Sequence, residues 1–211
     1  MLSKKSYYLL AFLLLLVLSL VGFYFFNSTK PTASITSPLN NFSVSDIVSV
    51  NISAAATTGV VKTELYIDNL LIGTANTTPY VFSWDTNETS DGPHVLGGKV
   101  YDSAGNIGTS AVITIKVDNT VPTVSITSPT EGASVSKEST VTITASASDN
   151  ISINKVEFYV NSKLQCTDTA LDYSCSWLVP NAPRKTYQLQ IKAYDLAGNI
   201  GSSQVVTVTS K

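Results

Sequence analysis

From Lys30 onward, apolar and polar residues alternate in short runs. Val48, Val50 and Ile52 fall on one side of the run Ile47 to Ala55, and Ser49 and Asn51 on the other. A period of two puts these sets on opposite faces of a strand, one buried and one wet. The same reading predicts strands over Thr32 to Thr36, Val60 to Asp68, Leu70 to Ala75, Pro79 to Trp84, His94 to Asp102 and Ala111 to Asp118. Asp68-Asn69 joins two apolar runs as a two-residue turn, where Asn tolerates positive φ, and Asn161-Ser162 matches it later in the chain. No stretch of this part holds apolar residues at helical spacing for more than a few positions.

The pattern is written twice. Tyr101-Asp102-Ser103-Ala104-Gly105-Asn106-Ile107-Gly108 returns 93 positions later as Tyr194-Asp195-Leu196-Ala197-Gly198-Asn199-Ile200-Gly201. Pro31-Thr32-Ala33-Ser34-Ile35-Thr36-Ser37-Pro38 returns after 91 positions as Pro122-Thr123-Val124-Ser125-Ile126-Thr127-Ser128-Pro129. A period near ninety suits a whole small domain rather than a solenoid unit of roughly 20–50 residues. The chain therefore reads as all-β, two sandwiches in series, over residues 31–119 and 120–211. The two-residue difference in offset is expected as an insertion around Ser148-Asp149-Asn150. The join into Pro122 is short and ends on a locked φ, so little freedom between the copies is expected.

Ahead of the repeats, Tyr7 to Phe26 is uncharged and almost wholly apolar, long enough as a helix to cross roughly 30 Å of hydrocarbon. A cleaved signal peptide would have a shorter apolar core and small residues at its cut site, whereas this run ends Val21-Gly22-Phe23-Tyr24-Phe25-Phe26. A single transmembrane helix within residues 1–30 is expected, acting as an uncleaved signal anchor. Lys4 and Lys5 precede it and place the N-terminus inside, so both sandwiches are expected outside the cell.

Charge narrows the partners. With 13 basic and 15 acidic residues there is no basic stripe for phosphates, which argues against nucleic acid. The sequons at Asn27, Asn41, Asn51, Asn76, Asn87 and Asn150 are what chance supplies in a chain rich in Asn, Ser and Thr.

Four segments carry a family resemblance: the opening P-T-x-S-I-T-S-P, the K-x-E-[LF]-Y strands at Lys62 and Lys155, the strand ends at Trp84 and Trp177, and the closing Y-D-x-A-G-N. Together they resemble the tandem bacterial immunoglobulin-like repeat domains of exported surface proteins and secreted enzymes. The resemblance covers nearly all of residues 31–211 and implies immunoglobulin-like sandwiches that serve as spacers, adhesive repeats or enzyme appendages. The copies depart from each other at Gly97-Gly98, which stands against Gln190-Ile191 and predicts a bulge or a poorly packed patch. Thr57-Thr58-Gly59 also lacks the acid of Asp149-Asn150.

Candidate chemistry is sparse. His94 is the only histidine, sits where the second copy has Tyr187, and reads as structural. No nucleophile or acid–base constellation accompanies it, so an enzyme is not expected. Cys166 and Cys175 flank a hairpin, with Gly73 and Phe82 in their places in the first copy, and are expected to form a disulfide in an exported chain. Tyr66, Tyr80, Tyr159, Tyr173 and the tryptophans read as packing rather than a sugar platform. Asp102 and Asp195 suit tight turns closed by Gly105 and Gly198. In an immunoglobulin-like topology, Asp118, Asp149 and Asp195 come to one end of the second sandwich. Calcium, which takes six to eight oxygens, is the sharper reading of that convergence, with Asn119, Asn150, Asn199, carbonyls and water completing the shell. Turn chemistry alone is the plainer one.

The function expected is a membrane-anchored, single-pass surface protein whose repeats act as stalk, spacer or adhesion module, toward a surface protein or a glycan. The alternative is a non-catalytic carbohydrate-binding accessory module of a cell-surface hydrolase system.

Overall fold

The computed structural model describes residues 29–211. The expected anchor over 7–26 lies outside them, and no helix among the described residues is long and apolar enough to cross a membrane.

Every expected strand of the first copy forms. It contains β1 (Thr32–Ser37), β2 (Ser43–Val44), β3 (Ile47–Ala55), β4 (Val60–Ile67), β5 (Leu70–Ala75), β6 (Tyr80–Asp85), β7 (Gly92–Asp102), β8 (Ile107–Thr109) and β9 (Ile113–Val117). The second repeats them as β10 (Thr123–Ser128), β11 (Ser134–Val135), β12 (Thr140–Ser148), β13 (Ile153–Val160), β14 (Lys163–Asp168), β15 (Ser174–Leu178), β16 (Thr186–Asp195), β17 (Ile200–Ser202) and β18 (Val206–Ser210). The two-residue strands β2 and β11 escape the pattern because they are too short to alternate. In each copy one sheet is three-stranded, β1-β3-β6 or β10-β12-β15. The other runs β2-β9-β7-β4-β5 with β8 beside β7, or β11-β18-β16-β13-β14 with β17 beside β16. Both sheets of the second copy share one core, where Ile143 and Trp177 from one meet Phe158, Leu189 and Val208 from the other.

By spatial proximity the described chain divides into two compact units. One holds the residues up to Leu39 with Ser49–Ser83 and Val95–Ile113; the other holds Asn40–Val48, Trp84–His94 and Thr114–Lys211.

Two expectations are corrected. The insertion is not at 148–150: β12 already stands 93 positions after β3 while β11 stands 91 after β2, so the extra residues lie in 136–139. Nor is the Gly97-Gly98 segment bulged, since β7 pairs in unbroken register with β4 from Lys62 to Ile67. A Cβ on Gly98 would meet Ile52 Cδ1 at 3.1 Å. Ile52 fills the space that Ile191 fills in the second copy, where Ala145 replaces Ile52. The bulk has changed strands.

The final glycine of the repeated motif has a steric cause. A Cβ on Gly108 would lie 1.8 Å from the Pro31 carbonyl oxygen, and one on Gly201 1.9 Å from that of Pro122. The chain entering each sandwich passes directly over this glycine, which explains why both ends of the repeat recur together.

Candidate functional site

Three aspartates separated by up to 77 positions meet in the second compact unit. Asp118 follows β9, Asp149 opens the loop after β12, and Asp195 ends β16. One carboxylate oxygen from each lies within 4.8 Å of the others, and among the described residues this is the one grouping of three such side chains. Asp118 and Asp195 are buried, and Asp149 is half-buried.

Local turns hold each carboxylate. Asp195 Oδ1 accepts from the Gly198 and Asn199 amides at 2.7 and 2.8 Å, and its Oδ2 from Asn199 Nδ2 at 2.6 Å. The same Asn199 Nδ2 donates to the Asp118 carbonyl at 2.7 Å. Asp149 Oδ2 accepts from the Ile151 and Ser152 amides at 2.9 and 3.0 Å, while its Oδ1 is buried and accepts from no group among the described residues. Asp118 Oδ1 receives only a long bond from the Thr120 amide, 3.3 Å. Burial, then the negative charges of Asp149 and Asp195, push the Asp118 carboxyl up to about 6.

The donor set fits a hard cation. Oxygens sharing one calcium at bond lengths of 2.3–2.6 Å lie no more than about 5 Å apart, and the cluster satisfies that span. A buried orphan oxygen and like charges driven together are both relieved by a positive ion. Asn119 is not available as a ligand, contrary to expectation. Its Oδ1 accepts from the Asp46 amide and the Thr86 hydroxyl, both at 3.0 Å, and its Nδ2 donates to the Thr86 carbonyl.

The first copy shows the same turn without the cluster. Asp102 Oδ1 accepts from the Ala104 and Asn106 amides and its Oδ2 from Asn106 Nδ2, and these bonds, the Asn106 side chain foremost, hold the carboxyl below its usual range. Its counterpart loop, Ala56-Thr57-Thr58-Gly59, brings no acid. Turn chemistry therefore accounts for both Asp102 and Asp195, while Asp149 has no acidic counterpart in the first copy and Asp118 comes from the segment that joins the copies.

Cys166 and Cys175 are bonded, with Cα atoms 6.1 Å apart. They lie on β14 and β15, so the bond staples the two sheets to each other rather than linking neighbours in one ladder. His94 is buried, its Nε2 lies 2.8 Å from the Ser90 carbonyl, and its ring meets Trp84 edge-on, as Tyr187 meets Trp177. Tyr80, Tyr173, Trp84 and Trp177 belong to the core as expected.

Tyr66 and Tyr159 do not. They sit on the wet face of the larger sheet, in a network that alternation alone does not reveal. Glu64 Oε1 takes the Lys62 ammonium at 2.5 Å, and its Oε2 accepts from Tyr66 and Tyr101 at 2.8 Å each. Glu157 repeats this with Lys155, Tyr159 and Tyr194 at 2.6, 2.6 and 2.8 Å. Lys155, then Tyr159, draw the Glu157 carboxyl down to about 2. Lys99 and Lys192 lie over the Tyr66 and Tyr159 rings, 4.3 and 5.5 Å from their centroids. These rings are covered by lysine and do not form a stacking platform. The K-x-E-x-Y spacing on one strand face was the available signal.

Comparison with known proteins agrees with this scaffold. A family model described as bacterial Ig domain matches residues 31–97 and 122–191. Among solved structures, the fibronectin(III)-like modules of Clostridium thermocellum CbhA are 25% identical at a TM-score of 0.59, covering 84% of this chain and 92% of theirs. The FN1–FN3 domains of chicken CNTN1 share the fold at a TM-score of 0.52 with 13% identity, over 87% of this chain and 67% of theirs. No curated protein sequence matches the chain.

Proposed function

Because the chain belongs to the bacterial Ig domain family, we propose that it is a non-catalytic, membrane-anchored surface array whose two sandwiches hold a binding or display function away from the bilayer. The observation that supports it is what the two copies share. The repeated residues are those that build a sandwich: the glycine under the entering chain, the Asp-to-Asn turn, and the Lys-Glu-Tyr lattice. A scaffold is repeated, and no reaction site is repeated with it. The anchor over 7–26 supplies the attachment. Carbonate washing and protease treatment of intact cells test this reading. The full-length chain should stay with the membrane fraction while residues 31–211 are digested from outside; release by carbonate, or protection of the sandwiches, would remove it.

Within that scaffold, Asp118, Asp149 and Asp195 would hold a calcium ion, a reading favoured by the buried, unpartnered Asp149 Oδ1 inside a ring of like charge. When bound, the ion supplies positive charge that ties three loops together; it is structural. Equilibrium dialysis of the full chain with calcium checks it, with Asp149→Asn expected to weaken uptake strongly. No uptake at millimolar calcium would return all three residues to turn chemistry.

A further inference from the structure

We propose that a groove on the outer face of the β1-β3-β6 sheet of the first sandwich binds the ring of a neutral sugar. This goes beyond the scaffold reading and does not depend on calcium.

The groove is shallow and open to solvent and offers about 360 Å³, at the lower end of the roughly 300–1,000 Å³ typical of small-ligand sites. Strand alternation builds it. Val50, Ile52, Tyr80 and Phe82 turn into the core, which leaves Asn51, Ser53 and Val81 facing out beside Thr36, Thr78 and Pro79. No charged side chain lines it. The polar groups are three hydroxyls and a carboxamide, while Pro79 and Val81, the latter 47% exposed, provide an aliphatic surface. A sugar ring has the matching pair of features, a rim of hydroxyls and a face of C–H groups. Ionic ligands find no partner here.

The Asn51 carboxamide is uncommitted at its oxygen, which is buried without a hydrogen bond, while the Thr36 hydroxyl reaches only the Asn51 main-chain carbonyl, at 3.3 Å. A half-turn of the amide therefore breaks no bond to its oxygen, and the side chain can offer either a donor or an acceptor. A hydroxyl, which both donates and accepts, is the group that exploits this. Buried amide oxygens are ordinarily paired, so one left unpaired beside a groove calls for a reason.

The second copy provides the internal control. Thr127 and Thr144 occupy the places of Thr36 and Asn51, and their hydroxyls bond each other at 2.7 Å. There the two hydroxyls satisfy each other, Asp172 and Ser174 replace Pro79 and Val81, and the exposed aliphatic side chain is instead Leu171, in the place of Thr78.

Saturation-transfer NMR on the full chain tests the proposal, in a detergent with a polyethylene-glycol rather than a sugar headgroup. The probes are cellobiose, maltose, mannobiose and N,N′-diacetylchitobiose, with a heparin disaccharide as the charged control. At least one neutral disaccharide should bind saturably in the millimolar range. Asn51→Thr, which installs the second copy's residue, should weaken it about tenfold, the loss of one good hydrogen bond. Val81→Lys, at an exposed position, should abolish it with an unchanged melting temperature. Absence of saturable binding by all four neutral probes overturns the proposal, as does binding that ignores both variants or binding of the charged probe alone. Should Asn51→Thr disturb folding, Val81→Lys alone decides.

Discussion

The two sandwiches solve the same packing problem with different residues. Where the second copy bonds Cys166 to Cys175 across its sheets, the first has Gly73 and Phe82, and the Phe82 ring comes so close that a Cβ on Gly73 would lie 3.2 Å from it. One copy joins the sheets by a covalent bond; the other lays a ring over a glycine. Ile52 with Gly98 replaces Ala145 with Ile191, and Leu65 with Val100 replaces Phe158 with Ala193. Cores accept such exchanges when the total volume is kept. The shared elements admit no exchange, because backbone touches backbone or a buried charge needs all its partners. The copies thus separate what the fold requires from what each sandwich is free to vary, and each candidate site draws on the second class, through Asp149 in one and Asn51 and Val81 in the other.

The strongest test of the shared class is the glycine beneath the entering chain. Gly108→Ala and Gly201→Ala should each destabilise its own copy by about 3 kcal/mol or more, since the clash is with a carbonyl that cannot rotate away. Calorimetry of the full chain should show comparable losses in the two copies; a mild effect in either would mean that the entry strand is not required to pass there.

The varied class should respond unequally. Cys175→Ser should cost the second copy about 2–3 kcal/mol, the chain-entropy value for a short loop, and leave the first unchanged. Denaturant titration with and without reductant checks this, and an equal response of both copies would sink the distinction.

The core exchange predicts coupling. Gly98→Ile alone should overpack against Ile52 and cost about 1–3 kcal/mol, while Gly98→Ile with Ile52→Ala recreates the second copy's pair and should recover most of it. A double-mutant cycle that finds the two changes additive would show that the side chains do not share one space.

The smallest effects are expected from titration. Asp118 has a carboxyl raised to about 6 in the folded chain, above its unfolded value. Its favourable contribution is therefore complete below about pH 4 and is lost as pH rises through 6. In chelator, Asp118→Asn should stabilise the protein at pH 7 by on the order of 1 kcal/mol and change nothing at pH 4. Glu157 has the opposite sign: its carboxyl is held at about 2, so its contribution is present above about pH 4.5 and lost as pH falls toward 2. Melting temperatures across pH 2–7 should show the Glu157 effect in Glu157→Gln and the Asp118 effect only without calcium. An Asp118→Asn protein that is less stable than the parent in chelator at pH 7 would contradict the electrostatic account.

The strands were legible because side-chain alternation is a property of consecutive residues, and the repeat was legible because turn and glycine positions recur in the same order. Asp118, Asp149 and Asp195 could be grouped from topology once the fold resembled a known one. The location of the insertion is not legible in the sequence, because 136–139 has no strand pattern against which to count. The packing of Gly98 is not legible either, because Ile52, 46 positions away, is its neighbour only across the sandwich. Tyr66 and Tyr159 read as core in the sequence because an aromatic residue on a strand looks the same from either face until Lys99 and Lys192 are seen above the rings.

The amino-acid sequence alone determined the period, the strands, the turns and the pairing of its two cysteines, all consequences of residue type and local spacing. Only the tertiary structure decided that the disulfide ties one sheet to the other, that Asp149 Oδ1 lacks a partner among the described residues, that Asn119 is already engaged, and that the side chains of Thr127 and Thr144 bond each other where those of Thr36 and Asn51 do not. Those outcomes depend on which atoms meet across the sheets and loops, and distances of a few tenths of an ångström between residues far apart in the chain are not written in local pattern.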